Sequence, residues 1–230
     1  MNKMTINHAF ITSLPVMAGY VVLGMGFGIL LSAKGYSFWW AILMSVTIYA
    51  GSMQYVGVNL LASGASIIST ALMTLMVNAR HLFYGISMIE SYRDMGWRKW
   101  YVIFALTDET YSLVCANPEL FGEVDRKNFI FLLSLMNQCY WIIGSFLGAL
   151  LGSAISFNSE GVDFSMTALF VCIFVEQWEK TKNHLPAIWG LVVSLICLVI
   201  FGTEQFLIPS MIGISIGLFL MRYELEGRTE

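Results

Sequence analysis

The sequence predicts an all-α, polytopic integral membrane protein with about seven transmembrane helices. Of its 230 residues, 57% are hydrophobic and only 12% are charged, whereas about 25% of an average soluble domain is charged. The mean hydropathy is +0.72. Apolar runs of about 20 residues, the length that crosses a bilayer as a helix, recur along the chain. They are too long, and lack the period-two alternation, for an outer-membrane barrel.

Seven apolar runs are long enough to be considered as spans. We place them near residues 14–33, 38–62, 66–90, 129–157, 164–177, 185–202 and 205–222. The first has no small residues at the spacing of a cleavage site, so we interpret it as a span and not as a removed signal peptide. An eighth segment, 100–117, carries Asp108 and Glu109 at its centre, where an unpaired carboxylate is costly. We expect that segment to be re-entrant or broken, with a full crossing as the alternative.

Basic loops indicate the topology, because Lys and Arg concentrate on the cytoplasmic side. The loop at 158–163 is acidic and lacks Lys and Arg, so we expect it outside, with 178–184 and the C-terminus inside. The loops 91–99 and 118–128 are both basic, and both are internal only if 100–117 does not cross. Seven crossings then place the N-terminus outside, although Lys3 argues against this.

An internal repeat is suggested by YVVLGMGFGILL at 20–31, which resembles YWIIGSFLGALL at 140–151, and by a weaker match of 37–43 to 163–169. We expect a single domain, 1–230, built from two three-helix halves. The predicted parts are repeat one at 14–90, a connecting segment at 91–128, repeat two at 129–202 and a final helix at 205–222. An inverted repeat, common in secondary transporters, follows if 100–117 does not cross. A parallel repeat follows if it does, and chance recurrence of Gly-x-x-x-Gly is the other alternative.

Composition and motifs exclude several function classes. The net charge of −3 argues against a nucleic-acid partner. The four cysteines form no C-x-x-C pair, and the three histidines lack an i, i+4 partner, so we expect no metal site and no cofactor. Phosphate-binding and hydrolase motifs are missing from the sequence, so we do not expect an enzyme or a direct use of ATP.

Polar residues inside the apolar runs are the candidate functional residues. Asn78, Arg80, His81 and Tyr84 lie in the third run, where a mid-membrane arginine needs a partner or a water-filled cavity. Snorkelling of Arg80 to an interface is the alternative. The candidate counter-charges and proton carriers are Asp108 and Glu109. The alternative is that 100–117 lies along the membrane surface with both acids in water.

A second candidate group comes from the repeat. Gly51, which interrupts the second run, Ser52 and Gln54 correspond to the region of Glu176 in the other half, so they are candidates for two walls of a central site. Glu176 is a candidate for proton coupling or gating, or it marks the end of its helix beside basic residues. Within 129–157, Asn137 and Gln138 are better explained as hydrogen-bond partners between helices than as ligands. We expect the tryptophans to form an interfacial belt.

Five segments together resemble the AzlC-type branched-chain amino acid permeases. They are PVMAGYVVLGMGFGILL at 15–31, IYAGSMQY at 48–55, NARHLFYG at 78–85, ALTDETY at 105–111 and DFSMTALF at 163–170. The resemblance covers about residues 8 to 222. It implies export of leucine, isoleucine and valine, with methionine as a further candidate, across the bacterial cytoplasmic membrane. It also implies a small AzlD-like membrane subunit as a partner.

A hypothesis joins the resemblance to the residues. Arg80 and His81 would meet the substrate carboxylate, and Asp108 or Glu109 its ammonium group. Protonation of one of the acids or of His81 would couple export to the proton gradient. The alternatives are a transporter of a different small solute and a non-transporting scaffold for a small partner.

Overall fold

The computed structural model describes residues 3–78, 80–116, 125–154, 171, 174–175, 178–179 and 183–221. The described residues form α-helices and turns, which confirms the all-α prediction. The chain divides into two compact units, Met1–Met166 and Thr167–Glu230. Three helices are long and apolar enough to cross a membrane, Lys3–Ala33, Arg126–Ala154 and Leu185–Thr203. These agree with the predicted spans 14–33, 129–157 and 185–202.

The first unit contains eight described helices. They are α1 (Lys3–Ala33), α2 (Phe38–Thr47), α3 (Gly51–Ala62), α4 (Ile67–Asn78), α5 (Arg80–Met88), α6 (Arg98–Phe104), α7 (Asp108–Ala116) and α8 (Arg126–Ala154). The two long helices, α1 and α8, are about 46 Å and 43 Å in length at 1.5 Å per residue. These two helices make extensive contact with each other, and this contact forms the core of the first unit.

Helices α1 and α8 run in the same direction. Ser13 of α1 is hydrogen-bonded to Tyr140 of α8, and the positions that meet advance together along both helices. Glycines allow this close approach: a Cβ at Gly28 would overlap the carbonyl oxygen of Ser145, and a Cβ at Gly148 would overlap the backbone of Met25. The small-residue pattern seen in the sequence therefore packs one long helix directly against the other.

The parallel packing of α1 and α8 corrects the preferred form of the repeat. Segment 20–31 lies beside 140–151 in matching register. An inverted repeat would make these two helices antiparallel, so the inverted expectation is wrong for this pair and the parallel alternative fits it. The rest of the second half includes 155–170, which lies outside the described residues, so a repeat over the whole length stays a prediction.

The second predicted span, 38–62, is not one crossing. Helices α2 and α3 fold back on each other, since Gln54 Nε2 donates to Ser45 Oγ at 3.2 Å and a Cβ at Gly57 would lie 3.5 Å from the Met44 side chain. The chain reverses at 48–50, where Tyr49 has a φ of 44°. We call this pair the first hairpin. Residues 38–62 are apolar enough for either a hairpin or a single crossing helix, so composition alone does not distinguish these two structures.

Helices α4 and α5 connect the end of the first hairpin to the start of α6. That 66–90 crosses the membrane stays a prediction, since α4 alone is a shorter apolar helix. Thr70 shares a cavity with Leu60 and Leu61 at the end of the first hairpin. At the other end, Ile89 shares a second cavity with Lys99 at the start of α6. Residue 79 separates the two helices and lies outside the described ranges.

The segment 100–117 is broken, as predicted, into α6 and α7, with the interruption at 105–107. Arg98, at the start of α6, donates to Asn128 at the start of α8, and Val114, near the end of α7, packs in one cluster with Phe129 of the same region. The described helices α6 and α7 therefore enter the unit and turn back toward the same end, which agrees with the re-entrant expectation. We call α6 and α7 the second hairpin.

The second unit is described mainly through α9 (Leu185–Gln205) and α10 (Leu207–Leu220). They form an antiparallel pair in which Gly217 lies against the indole of Trp189 and Gly213 against Val193. The backbone turns near Gly202, which has a φ of 72°. Helix α10 corresponds to the predicted final helix 205–222. Most of the predicted span 164–177 lies outside the described residues.

Candidate functional site

The two hairpins enter the first unit from opposite ends of α8, and their tips meet near its middle. The ring of Tyr49, at the first tip, lies 6.4 Å from the ring of Phe104, at the second. Tyr20 lies near the midpoint of the 31-residue α1 and contacts Trp141 of α8, with ring centroids 5.5 Å apart. The meeting point is therefore enclosed by both long helices and both tips.

A chain of hydrogen bonds crosses this meeting point. The hydroxyl of Tyr20 lies 2.6 Å from Glu109 Oε2 and 2.8 Å from Thr107 Oγ1. Thr107 is 3.0 Å from Thr110, and Asn137 Nδ2 donates to Thr110 Oγ1 at 3.0 Å. We call these five residues the central cluster. It ties the second tip to α1 on one side and to α8 on the other.

The start of α7 explains why a carboxylate can lie at the second tip. Thr107 Oγ1 accepts from the backbone N–H of Thr110 at 3.3 Å, in the manner of an N-terminal cap. Asp108 and Glu109 occupy the first turn of α7. The unpaired N–H groups and the dipole at a helix N-terminus stabilise negative charge there.

The first tip is held to α8 by a separate set of bonds. Trp141 Nε1 donates to Gln54 Oε1 at 2.9 Å, while the other end of the Gln54 amide donates to Ser45. Gly51 lies against the Trp141 ring, where an added Cβ would be 3.0 Å away. Gln54 is fully buried, so its observed contacts position the tip. A substrate-binding role for Gly51, Ser52 and Gln54 stays a prediction.

The expected role of Asn137 and Gln138 as bonds between helices is confirmed. Asn137 reaches Thr110 of α7. Gln138 accepts from the Tyr101 hydroxyl at 2.7 Å and donates to the carbonyl of Val46 at 3.4 Å. Gln138 of α8 thus contacts both hairpins.

The remaining predicted site residues are described unevenly. His81 Nδ1 lies 3.1 Å from the carbonyl oxygen of Asn78. The side chains of Arg80 and Tyr84, and all of Glu176, lie outside the described residues, so the proposed pairing of Arg80 with an acid is not tested.

Asn78 and His81 open onto a cavity of about 560 Å³, which we call the side cavity. It lies between the α4–α5 stretch and α6 and is lined by Thr74, Leu75, Asn78, His81, Gly85, Ile89, Tyr92, Lys99, Ile103 and Leu106. Its wall extends from Lys99, near the start of α6, to Leu106, beside the second tip. Burial raises the pKa of Tyr92 well above its ordinary value, so this phenol keeps its proton at neutral pH.

Sequence reasoning missed two residues of this region. The sequence indicates Tyr20 only as a marker of the repeat, and nothing in it predicts that Tyr20 is the partner of Glu109. The interfacial belt expected of the tryptophans does not hold for Trp141, which is only 3% exposed and lies at the centre of the unit. A signal was present for Trp141, since it lies near the middle of its apolar run and not at an end.

Comparison with known proteins identifies the family. A family described as AzlC protein matches residues 15–155, a range that contains both hairpins, most of α1 and all of α8. A Bacillus subtilis protein named branched-chain amino acid transport protein AzlC is 44% identical over 219 residues, covering 95% of this chain and 85% of that protein. The chain belongs to the AzlC family.

Other AzlC relatives carry less specific names. A Helicobacter pylori protein named only as an uncharacterized membrane protein is 42% identical, with 95% of each chain covered. The inner membrane protein YgaZ of Escherichia coli is 26% identical over 74% of this chain and 72% of that protein. No solved structure matches the chain. These names associate the AzlC family with membranes and, in one member, with branched-chain amino acid transport.

Proposed function

We propose that the chain exports leucine, isoleucine, valine and related hydrophobic amino acids across the bacterial cytoplasmic membrane. Membership of the AzlC family and the name of the Bacillus subtilis relative support the substrate class. The two hairpins support a transport role, because half-helices that start inside a membrane protein commonly form binding sites and gates in secondary transporters.

The distribution of basic residues supports one orientation. The starts of α1, α6 and α8 lie at one end of the first unit, where Ala9 packs in one cluster with Phe129. That end carries Lys3, Arg93, Arg98, Lys99, Arg126 and Lys127, whereas Lys34 is the one basic residue among the described turns at the other end. We call the first of these the basic end. The positive-inside rule makes it cytoplasmic, which replaces the expected external N-terminus with an internal one.

The contact between Tyr20 and Glu109 carries the proposal. The acid lies at the tip of the second hairpin. Its partner Tyr20 belongs to the buried apolar cluster of Phe27, and Leu106 at the same tip belongs to the buried cluster of Phe129. In this partly buried position, a carboxylate that loses or gains a proton changes its attraction to the Tyr20 hydroxyl and to the N-terminus of α7. We propose that proton binding at Glu109 loosens the second tip and so couples substrate movement to the proton gradient.

The closed tips would then act as the barrier between the two sides. The two hairpins contact each other through the rings of Tyr49 and Phe104. Movement of either tip would open a path for the substrate from one end of the unit to the meeting point. The small AzlD-like subunit implied by the sequence resemblance is proposed as a partner of this chain. Neither proposal needs an enzymatic step.

The test is efflux of labelled leucine and valine from preloaded cells that express the chain with and without an AzlD-like partner. We expect faster efflux than in cells without the chain, and a loss of that gain when the proton gradient is collapsed. In Glu109→Gln, which keeps the shape and a hydrogen bond to Tyr20, export should no longer depend on the gradient. Asp94→Asn, at an exposed turn of the basic end, is the matched control.

Unchanged efflux with the protein shown to be in the membrane, with and without the partner, would remove the amino-acid proposal. That result would favour another solute or a scaffold that stabilises its partner. Efflux that is gained but keeps its gradient dependence in Glu109→Gln would leave export standing and reject Glu109 as the coupling residue.

A further inference from the structure

The side cavity has the size and composition of a small-molecule site. Its volume of about 560 Å³ falls within the usual range for ligand pockets, about 300–1,000 Å³. Branched apolar side chains, Leu75, Ile103 and Leu106, form much of its wall. Such a wall accommodates a branched hydrocarbon group without a polar partner of its own.

Two polar atoms on this wall have no hydrogen-bond partner within the described part of the chain. The side chain of Tyr92 is only 2% exposed, and its hydroxyl is buried and unpaired. The side-chain oxygen of Asn78 is buried and unpaired as well. A buried polar atom without a partner is costly, about 1–3 kcal/mol, so such atoms are normally satisfied by a water or a ligand.

The polar groups lie at different distances from the basic end. Lys99 places an ammonium group on the part of the wall nearest the basic end, next in the chain to Arg98, which bonds the start of α8. Tyr92 also belongs to this end, because it follows α5 in the turn before α6. Asn78 ends α4, farther from the basic end, and lines the cavity together with Leu75. Two donors at the basic end and an acceptor farther along the cavity suit a ligand with one anionic and one cationic group.

We propose that the side cavity is the cytoplasmic binding site of the transported amino acid. Lys99 and the Tyr92 hydroxyl donate to the substrate carboxylate, and Asn78 Oδ1 accepts from its ammonium group. The branched side chain of the substrate packs on Leu75, Ile103 and Leu106. This inference rests on the proposed function, and it adds Lys99 and Tyr92 to the residues expected from the sequence.

The position of the cavity supports a role in loading. Its wall includes Leu106, and the next residue, Thr107, belongs to the central cluster. An amino acid held here lies one residue along the chain from the tip that Tyr20 and Glu109 hold closed. A movement of the second tip would therefore act directly on the wall of the occupied cavity.

The experiment measures binding of labelled leucine to the purified full chain, with leucine methyl ester and 4-methylpentanoate as competitors. The ester lacks the carboxylate charge, and 4-methylpentanoate lacks the ammonium group. We expect Lys99→Gln to weaken leucine binding about tenfold or more while leaving the affinity for the ester unchanged. Asn78→Ala should weaken leucine binding and leave the affinity for 4-methylpentanoate unchanged.

Two further variants control for folding. Tyr92→Phe keeps the ring and removes one oxygen, so it should lower leucine affinity severalfold without loss of folded protein. Lys127→Gln removes a lysine at the same end of the unit, outside the side cavity, and should bind leucine as the wild type does. A purely structural role for Lys99 would weaken leucine and ester binding together.

The outcomes separate this inference from the proposed function. If the wild type exports and binds leucine, and Lys99→Gln, Tyr92→Phe and Asn78→Ala keep its affinity and its preference over both analogues, the site lies elsewhere and export stands. If the wild type neither exports nor binds leucine, the proposed function fails and this inference fails with it.

Discussion

The hydroxyl of Tyr20 lies 2.6 Å from Glu109 Oε2, although 88 residues of sequence separate the two positions. This contact joins the middle of α1 to the tip of the second hairpin. Because Thr107 also bonds the same hydroxyl, one phenol holds both the acid and the cap of α7.

Tyr20→Phe should slow leucine efflux about tenfold or more, because the tip loses the group that holds Glu109. The matched control is Tyr140→Phe on α8, at the equivalent repeat position, whose hydroxyl bonds Ser13 at 3.0 Å. Each change removes one hydroxyl, and a buried hydrogen bond contributes about 0.5–1.5 kcal/mol. Efflux, corrected for the amount of protein in the membrane, is the measurement. Equal losses in the two variants would contradict a special role for Tyr20.

Trp141 of α8 holds the first tip in place by donating a hydrogen bond to Gln54. Trp141→Phe should lower the thermal stability of the purified protein, since the buried Gln54 oxygen loses its donor and the first tip loses a wall. Trp39→Phe is the control, because Trp39 is 66% exposed. Unfolding in detergent, followed by the loss of monodisperse protein with temperature, measures the difference. Equal stability of the two variants would show that the Trp141 bond contributes nothing.

Gly28→Ala should reduce the amount of folded protein, because a Cβ there would overlap Ser145 of the adjacent helix. Forcing extra atoms into a packed contact costs about 1–3 kcal/mol. Gly19→Ala, on the same helix, is the control, since a Cβ at Gly19 meets nothing within 4 Å. The ratio of monodisperse to aggregated protein after extraction distinguishes the variants. A Gly28→Ala protein as well folded as Gly19→Ala would mean that α1 and α8 are farther apart than described.

The sequence allowed prediction of features that depend on local pattern. Runs of apolar residues long enough for a bilayer predicted α1, α8 and α9, and the acids of 100–117 predicted a break there. The sequence matches 20–31 to 140–151 as parts of a repeat, and these two segments lie side by side in the structure. In each case the physical cause is contained in a short stretch of chain.

Features that depend on distant contacts were not predictable in this way. The reversal at Tyr49 is stabilised by bonds to α8, which is distant in the sequence: Trp141 donates to Gln54, and Ser45 donates to Ser145. The residues on either side of this reversal are as apolar as those of a crossing helix, because a hairpin and a crossing helix both remove these residues from water. The direction of the repeat was wrong for the same reason, since counting 38–62 as a crossing reversed the expected direction of α8.

The two hairpins give a direct prediction about topology. The turns at either end of the first hairpin contain Lys34 and Ser63, both exposed, and should lie on the same side of the membrane. Single cysteines at these positions, in a chain with its four native cysteines replaced by serine, should both react with an impermeant maleimide added to intact cells. Asp94→Cys, at the basic end, should react only after the membrane is made permeable. Labelling of Lys34→Cys but not Ser63→Cys in intact cells would mean that 38–62 crosses the bilayer, and it would restore the inverted repeat.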